Sequence, residues 1–117
     1  MKKVFAVILN YNGYDDTLNC LKSLQREDCK GLYPVIVDNN SPDGSGKRLF
    51  SEITNLPVIL NEENTGYAGG MNTGARYALA QGSDFVLYVN NDAEFGGNTI
   101  SEMVKVAERD SAIGIVS

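Results

Sequence analysis

Residues 85–93 have the sequence FVLYVNNDA, an apolar run that ends abruptly in three polar residues. A run of this length, rich in β-branched and aromatic residues, is typical of a buried strand that is apolar on both faces, as in parallel sheets. Ligands of open α/β sheets bind just outside the carboxyl ends of the strands. Asp92 is therefore a candidate ligand for a hard divalent cation held against phosphate oxygens. The alternative is that Asp92 caps a helix or shapes a turn.

The composition limits the class of protein. A length of 117 residues, with 43% hydrophobic and 21% charged residues, fits one globular domain. A net charge of -5 without a Lys/Arg cluster argues against a nucleic-acid partner. The absence of histidine excludes His-activated nucleophiles and His-ligated zinc. Cys20 and Cys29 lack metal-binding spacing and predict free thiols in a reducing compartment. The N-terminus lacks the cleavage site of a signal peptide, and no apolar run approaches the length of a membrane span.

Strand-like and helix-like segments alternate along the chain. The pattern predicts strands at 4–9, 33–37, 57–60 and 85–89, a fifth strand at 112–116, and helices from residue 15 or 16, at 47–53, at 71–80 and at about 100–109. Leu49, Phe50 and Ile53 are expected to face inward. Thr99 and Glu102 form a capping-box pattern. The alternation predicts an α/β fold, Rossmann-like, with a mostly parallel sheet and helices on both faces.

Polar or glycine-rich loops follow four of the predicted strands, at residues 10–13, 38–45, 64–70 and 90–92. At one edge of a parallel sheet these loops would form a crevice. Their amides and carboxylates suit a nucleobase and ribose, and their glycines allow a phosphate to approach a helix N-terminus closely. One such loop is more often an ordinary turn. Four at corresponding strand ends indicate a ligand site.

The sequences of these loops resemble the successive motifs of family 2 glycosyltransferases. The motifs are VILNYN at 7–12, VIVDNNSPDGS at 35–45, NTGYAGGMN at 64–72 and VNND at 89–92, in matching order and spacing. The resemblance implies a GT-A fold and an inverting transfer of sugar from a nucleotide-diphosphate donor to an acceptor hydroxyl. It covers essentially the whole chain but only the front half of a typical member. We therefore expect residues 1–117 to be the donor-binding part, without the acceptor-binding half or its catalytic carboxylate, and to transfer no sugar alone.

Carried over by position, the resemblance gives the first two motifs roles in binding the nucleoside. Asn10, Tyr11 and Asn12 would pass under the base and ribose. Asp38 would hydrogen-bond a uracil or thymine ring, with Asn40 beside it. A carboxylate can accept the N3 hydrogen of such a ring.

The resemblance gives the later motifs roles near the diphosphate. The residues expected near the base and diphosphate are Asn64, Gly66, Tyr67 and Asn72. The residues in the place of the family's Asp-x-Asp motif are Asn90, Asn91 and Asp92. Asp92 would be the ligand of Mg²⁺ or Mn²⁺, and Asn90 would approach the ribose. Because Asn90 stands where many members have Asp, one motif carboxylate remains, and the cation must rely on phosphate oxygens and water.

The Asn90 variant resembles the branch that transfers rhamnose and galactofuranose. This implies a UDP- or dTDP-linked sugar as donor, a saccharide or lipid-linked acceptor, and a role in cell-envelope polysaccharide synthesis. We expect a cytoplasmic protein, with peripheral association at the inner face of the membrane as an alternative. Apolar surface left by a missing half would favour a homo-oligomer.

Other functional classes remain open at this point. A flavodoxin-like receiver also binds Mg²⁺ with acids at strand ends, but its phosphoacceptor should follow the third strand, which here ends at Asn61. A dinucleotide-binding domain should have G-x-G-x-x-G after the first strand, where Gly13 stands alone. A nucleotidyltransferase should have a glycine-rich, basic loop there. An α/β domain without a ligand is the remaining alternative.

Overall fold

The structure is a computed structural model that describes residues 2–109. Its elements are β1 (Val4–Asn10), α1 (Tyr14–Gln25), β2 (Leu32–Asp38), α2 (Ser45–Glu52), β3 (Val58–Leu60), α3 (Gly66–Ala80), β4 (Phe85–Asn90) and α4 (Thr99–Arg109). The four strands agree with the predicted ones to within one residue at every end. The predicted strand at 112–116 lies outside the described residues. None of the described helices is long and apolar enough to cross a membrane.

The four strands form one parallel sheet in the order β3-β2-β1-β4. Asn10 at the end of β1 pairs with Asp38 at the end of β2, and Leu9 pairs with Asn90 at the end of β4. The polar strand ends therefore lie at one edge, as the sequence predicted. This is the strand order of a Rossmann-type sheet, in which the order reverses between β1 and β4. The predicted parallel α/β fold is confirmed.

Helices pack on both faces of the sheet. On one face, apolar residues of α1, α2 and α4, including Leu24, Leu49 and Ile100, pack against Ile8 and Ile36. On the other face, α3 packs against the residues of β1 and β2 that point the opposite way. The two central strands, β1 and β2, are therefore covered by helices on both faces, which explains why they are apolar runs in which polar and apolar residues do not alternate.

Two expectations about burial are wrong. Phe50 is 57% exposed, whereas Leu49 is buried and Ile53 packs against the same core. Leu49 and Ile53, the residue that caps the C-terminus of α2, are four residues apart and lie on the same side, so Phe50 is turned away from the sheet. Tyr88 of β4 is 49% exposed. In the described part of the chain β4 pairs only with β1, so it is an edge strand and is not buried on both faces.

Helix α3 begins at Gly66, five residues before the predicted start at residue 71. The glycine-rich stretch predicted a loop because glycine is a poor helix former. In the structure the glycines let α3 approach the sheet. A Cβ at Gly74 would lie 2.2 Å from a Val7 methyl carbon, and one at Gly70 would lie 2.4 Å from a Leu9 methyl carbon. The close packing of the helix on β1 offsets the low helix propensity.

Helix α4 is capped by a distant residue instead of the predicted capping box. The Ile100 N–H donates to Glu27 Oε1 at 2.8 Å, while the Thr99 hydroxyl accepts the Gly96 N–H at 3.4 Å. The Glu102 carboxylate pairs with Lys105 at 3.2 Å. Glu27, at the end of α1, thus satisfies a free N–H of α4 and places a negative charge at the positive end of the helix.

Candidate functional site: a cleft at the carboxyl ends of the strands

A cleft of about 280 Å³ opens at the carboxyl edge of the sheet, between the ends of β1 and β4. The residues that line it are Leu9, Tyr11, Tyr67, Asn90, Asn91 and Asp92. Five of these six are residues that the sequence assigned to a ligand site. The cleft lies where the strand order reverses, which is the position at which open α/β sheets bind their ligands.

Two tyrosines give the cleft exposed aromatic surface. Tyr11 follows β1 and is 47% exposed, and Tyr67 lies in the first turn of α3 and is 55% exposed. Large aromatic side chains normally bury most of their area. Two exposed rings in one cleft therefore favour a ligand with a flat face, such as a nucleobase.

The turn after β4 presents the acid of the cleft. The Ala93 N–H donates to the Asn90 carbonyl oxygen at 3.0 Å, which closes a tight turn over residues 90–93. The Cys20 thiol of α1 lies behind the turn, 3.7 Å from the same carbonyl oxygen. Burial, with a smaller contribution from the charge of Asp92, raises the pKa of Cys20 to about 11. The Asp92 side chain is exposed, so its charge faces the cleft and solvent.

The cleft has few acidic side chains that could bind a metal ion. Among residues 2–109, no three Asp, Glu, Cys or His side chains are close enough to hold a metal ion together. Of the carboxylates in the described part of the chain, Asp92 alone lines the cleft. Mg²⁺ is commonly held by one or two carboxylates together with substrate phosphates and water. The residues therefore fit a cation that arrives with a diphosphate, and they do not form a metal site of their own.

Asn10 and Asp38 lie beneath the cleft and not in its wall. Asn10 is fully buried, and its Nδ2 donates to Asp38 Oδ1 at 2.8 Å and to Ser45 Oγ at 2.9 Å. Asp38 is 4% exposed and also accepts the Ser41 hydroxyl at 2.6 Å and the Ser41 N–H at 3.1 Å. The Asn10 bond joins the end of β1 to the end of β2, and the two Ser41 bonds fold the loop after β2 onto the same carboxylate, so Asp38 holds that loop at the end of β1.

The loops after β1 and β2 are also hydrogen-bonded to each other. The Asn12 N–H donates to Ser41 Oγ at 3.0 Å, and Asn12 Oδ1 accepts the Asp43 N–H at 3.2 Å. Asn12 and Asn40 both have left-handed backbones, with φ of 51° and 60°. Asparagine tolerates this conformation better than most residues. The Ser45 hydroxyl and N–H lower the pKa of Asp43, which begins the turn into α2.

Asn39 is a structural residue of the site that the sequence analysis missed. It is 2% exposed, its Nδ2 donates to the Gly66 carbonyl at 2.9 Å, and its Oδ1 accepts the Thr65 N–H at 3.1 Å. Asn64 Oδ1 accepts the Gly66 N–H at 2.8 Å. Asn39 therefore fixes the start of α3, and with it Tyr67. Its partners lie 26 and 27 residues away, so no local pattern identifies it.

The structure does not bring all the predicted site residues into the cleft. Asn12, Asn40 and Asn64 are exposed on the loops around it, Gly66 begins α3 with φ of 75°, and Asn72 is exposed nearly two turns further along that helix. These residues surround the cleft at the same edge without lining it. Their contacts with a ligand remain predictions.

A larger cavity of about 420 Å³ lies at the opposite edge of the sheet. Phe5, Tyr33 and Tyr77 contribute to its lining, and the Phe5 and Tyr33 rings stack at 5.1 Å. No carboxylate of residues 2–109 lines it. It also lies at the amino ends of the strands, where sheets of this type do not bind their ligands. The smaller cleft is therefore the candidate site.

Comparison with known proteins identifies the family. Residues 5–117 match the family described as "Glycosyl transferase family 2". The chain belongs to this family. It is 27% identical over 110 residues to the dTDP-rhamnosyl transferase RfbF of Shigella flexneri, with 93% of this chain and 36% of that protein covered. It is 30% identical over 111 residues to the uncharacterized glycosyltransferase YfnE of Bacillus subtilis, with 92% of this chain and 28% of that protein covered.

A solved structure confirms the GT-A fold. The mannosyltransferase PcManGT from Pyrobaculum calidifontis, in complex with GDP-Man and Mn²⁺, superposes with a TM-score of 0.73 at 24% identity, covering 97% of this chain and 33% of that one. The chain thus spans about a third of the length of these relatives. The strand order also argues against a flavodoxin-like receiver, in which β1 would lie between β2 and β3.

Proposed function

We propose that this chain binds the nucleotide-diphosphate-sugar donor of an inverting glycosyltransferase in the cleft between β1 and β4. The observation that carries the proposal is the joint presence of Tyr11, Tyr67 and Asp92 in one cleft at the reversal of strand order. A flat aromatic surface and a single exposed acid, set close together, suit the two ends of a nucleoside diphosphate.

The nucleoside end of the donor would lie against the tyrosines. Tyr11 and Tyr67 offer exposed rings on which a base can stack, and Asn90 at the end of β4 would approach the ribose. Asp38 does not line the cleft and is 4% exposed, so a base would have to insert beyond the cleft wall to reach its Oδ2, which accepts one hydrogen bond, from the Ser41 N–H, and has a lone pair for the N3 hydrogen of uracil or thymine. Because Asp38 also holds the loop in place, its role in base recognition needs the test given below.

The diphosphate end would lie at Asp92 and the start of α3. A carboxylate fixed by the turn at 90–93 can hold Mg²⁺ or Mn²⁺ together with phosphate oxygens, with Asn91 beside it. Such a cation stabilises the negative charge that builds on the leaving diphosphate. Gly66 and the following residues leave the N-terminus of α3 open to a phosphate.

The donor that we propose is a dTDP- or UDP-linked sugar, with rhamnose as the first candidate. Its support is the similarity to a dTDP-rhamnosyl transferase together with Asn90 in the motif. We place no general base among residues 2–109, and propose that the acceptor-binding part lies in the portion of the relatives that this chain does not match. The acceptor would be a saccharide or lipid-linked saccharide of the cell envelope. The two free cysteines support a cytoplasmic location.

Thermal unfolding with a panel of nucleotides tests the proposal. The 117-residue chain is heated with dTDP, UDP, GDP or ADP, each with and without Mn²⁺. A ligand at 100 times its Kd stabilises the folded state by about 2.7 kcal/mol, which raises Tm by about 10 °C for a chain of this size. We expect dTDP and UDP to raise Tm when Mn²⁺ is present, and GDP and ADP to raise it much less.

Two variants with matched chemistry locate the binding site. Asp92→Asn should abolish the Mn²⁺-dependent rise in Tm, whereas Glu94→Gln, an exposed acid two residues further along that does not line the cleft, should keep it. Failure of every nucleotide to change the Tm of the parent chain would contradict donor binding. An equal effect of both variants would contradict the assignment of Asp92.

A further inference from the structure

A chain of three hydrogen bonds, two of them buried, crosses the floor of the cleft. The Asn91 Nδ2 donates to Thr17 Oγ1 at 3.3 Å, and the Thr17 hydroxyl donates to Asn10 Oδ1 at 2.6 Å. The Asn10 Nδ2 in turn donates to Asp38 Oδ1 at 2.8 Å. We call these four residues the floor relay. It connects the turn that holds Asp92 with the loop after β2, through the first turns of α1.

The direction of each bond in the floor relay follows from chemistry. The Asp38 carboxylate can only accept, so the Asn10 amide nitrogen must face it and the amide oxygen must face Thr17. That oxygen also can only accept, so the single Thr17 proton is committed to Asn10. The Thr17 oxygen is then left with lone pairs alone, and they accept the Asn91 N–H. The Thr17 hydroxyl can therefore donate to the Asn10 amide and accept from the Asn91 amide at the same time.

Glycines allow close contact at both ends of the floor relay. A Cβ at Gly13 would lie 2.5 Å from Asn91 Nδ2, and a Cβ at Gly46 would lie 2.0 Å from the Asp38 carboxyl carbon. Backbone therefore packs directly against the two terminal side chains. Asn10 and Thr17 in the middle are fully buried. The position of Asn91 is thus fixed by the floor of the site as well as by its own turn.

We propose that Thr17 is a positioning residue of the donor site: through Asn91 it sets the position of the Asp92 turn relative to the loop after β2. The proposal rests on the proposed function and extends it to a residue that does not touch the ligand, since Thr17 is fully buried and does not line the cleft. Loss of its hydroxyl would leave Asn10 Oδ1 without a donor and free Asn91 to rotate.

The test compares Thr17→Val with Thr17→Ser in the 117-residue chain. Valine keeps the shape and removes the hydroxyl, whereas serine keeps the hydroxyl. Partners that orient metal-binding side chains typically change affinity by about 10- to 100-fold when removed. We expect Thr17→Val to weaken Mn²⁺-dependent binding of dTDP or UDP at least tenfold by calorimetry, and Thr17→Ser to restore it to within about threefold of the parent.

Ser23→Ala is the matched control for a general loss of stability. Ser23 is also a buried hydroxyl on α1, but it donates to the Cys20 carbonyl within the helix and takes no part in the floor relay. Its loss should lower Tm without changing nucleotide affinity. Equal Mn²⁺-dependent affinity of Thr17→Val and the parent would overturn the positioning role, and so would a serine variant as weak as the valine variant.

A measurement on the parent chain keeps the proposal testable if Thr17→Val does not fold. Binding of dTDP with Mg²⁺ should shift the side-chain amide resonances of Asn10, which is fully buried and does not line the cleft. Unshifted Asn10 resonances with a saturated site would overturn the proposal. A parent chain that binds no nucleotide would instead refute the proposed function, so the two failures are distinguishable.

Discussion

Substitution of Gly46 by alanine tests the packing beneath the cleft. Gly46 lies in the first turn of α2 and is buried. A Cβ there would lie 2.0 Å from the Asp38 carboxyl carbon and 2.1 Å from its Oδ2. Ordinary carbon contacts are about 3.5–4.0 Å, so the carboxylate or the helix must move by about 1.5 Å. A movement of that size breaks the 2.6 Å and 2.8 Å bonds from Ser41 and Asn10 to Asp38.

The expected decrease in the free energy of unfolding of Gly46→Ala follows from these losses. Overpacking costs about 1–3 kcal/mol, and each lost hydrogen bond costs about 1 kcal/mol. Alanine in a helix gains back about 1 kcal/mol relative to glycine. The net destabilisation is about 3 kcal/mol. With an unfolding entropy of about 2.1 cal/mol/K per residue, a chain of this size should lose about 10 °C in Tm.

Calorimetry or circular dichroism measures this change in Tm, with Gly44→Ala as the matched control. Gly44 precedes the same helix, has φ of +81° and has no atom within 4 Å of an added Cβ. Its substitution costs only the left-handed backbone penalty, about 1–2 kcal/mol. If Gly46→Ala melts at or above the Tm of the parent, the Asp38 carboxylate is not held where the structure has it, and the floor of the cleft is not rigid.

Three further predictions concern the charged and ionisable groups of the site. Asp92→Ala should leave the Tm of the nucleotide-free chain unchanged, because the side chain is exposed, and should remove the Mn²⁺ dependence of nucleotide binding measured by calorimetry. Asp38→Ala should weaken the binding of dTDP and UDP by about 1–3 kcal/mol. An equal loss of binding free energy for GDP would show that Asp38 acts only by holding its loop. Cys20 stabilises the folded state while its thiol is neutral, because folding raises the pKa of the thiol to about 11. This contribution to the free energy of unfolding is complete below about pH 9 and is lost as the pH rises through 11. Urea unfolding of the parent and of Cys20→Ala should therefore diverge by about 2 kcal/mol between pH 9 and pH 11.

The sheet was predictable because its signal is local. β1, β2 and β4 are apolar runs that end in polar residues, and for β1 and β2 burial on the two faces of a parallel sheet produces this pattern directly. The start of α3 was not predictable in the same way. Its glycines disfavour a helix by themselves, and only their contact with Val7 and Leu9 across the sheet makes the helix favourable.

The composition of the site was predictable in part. Tyr11, Tyr67 and the residues at 90–92 were found from motifs at strand ends, and they do line one cleft. Other residues with a structural role were missed. Thr17 bonds to a partner 74 residues away, and Glu27 caps a helix 73 residues away. Such pairs carry no periodicity, so only the assembled fold reveals them.

The burial of Asn10 has a consequence for engineering the proposed nucleotide preference. Its side chain bonds to α1 through Thr17, to the β2 loop through Asp38, and to the start of α2 through Ser45. A chimera that carries the β2 loop of a relative with another nucleotide preference would place that loop's side chains in contact with an unchanged Asn10. Transplants should therefore exchange the β1 end, the first turn of α1 and the whole segment from β2 into α2 as one block.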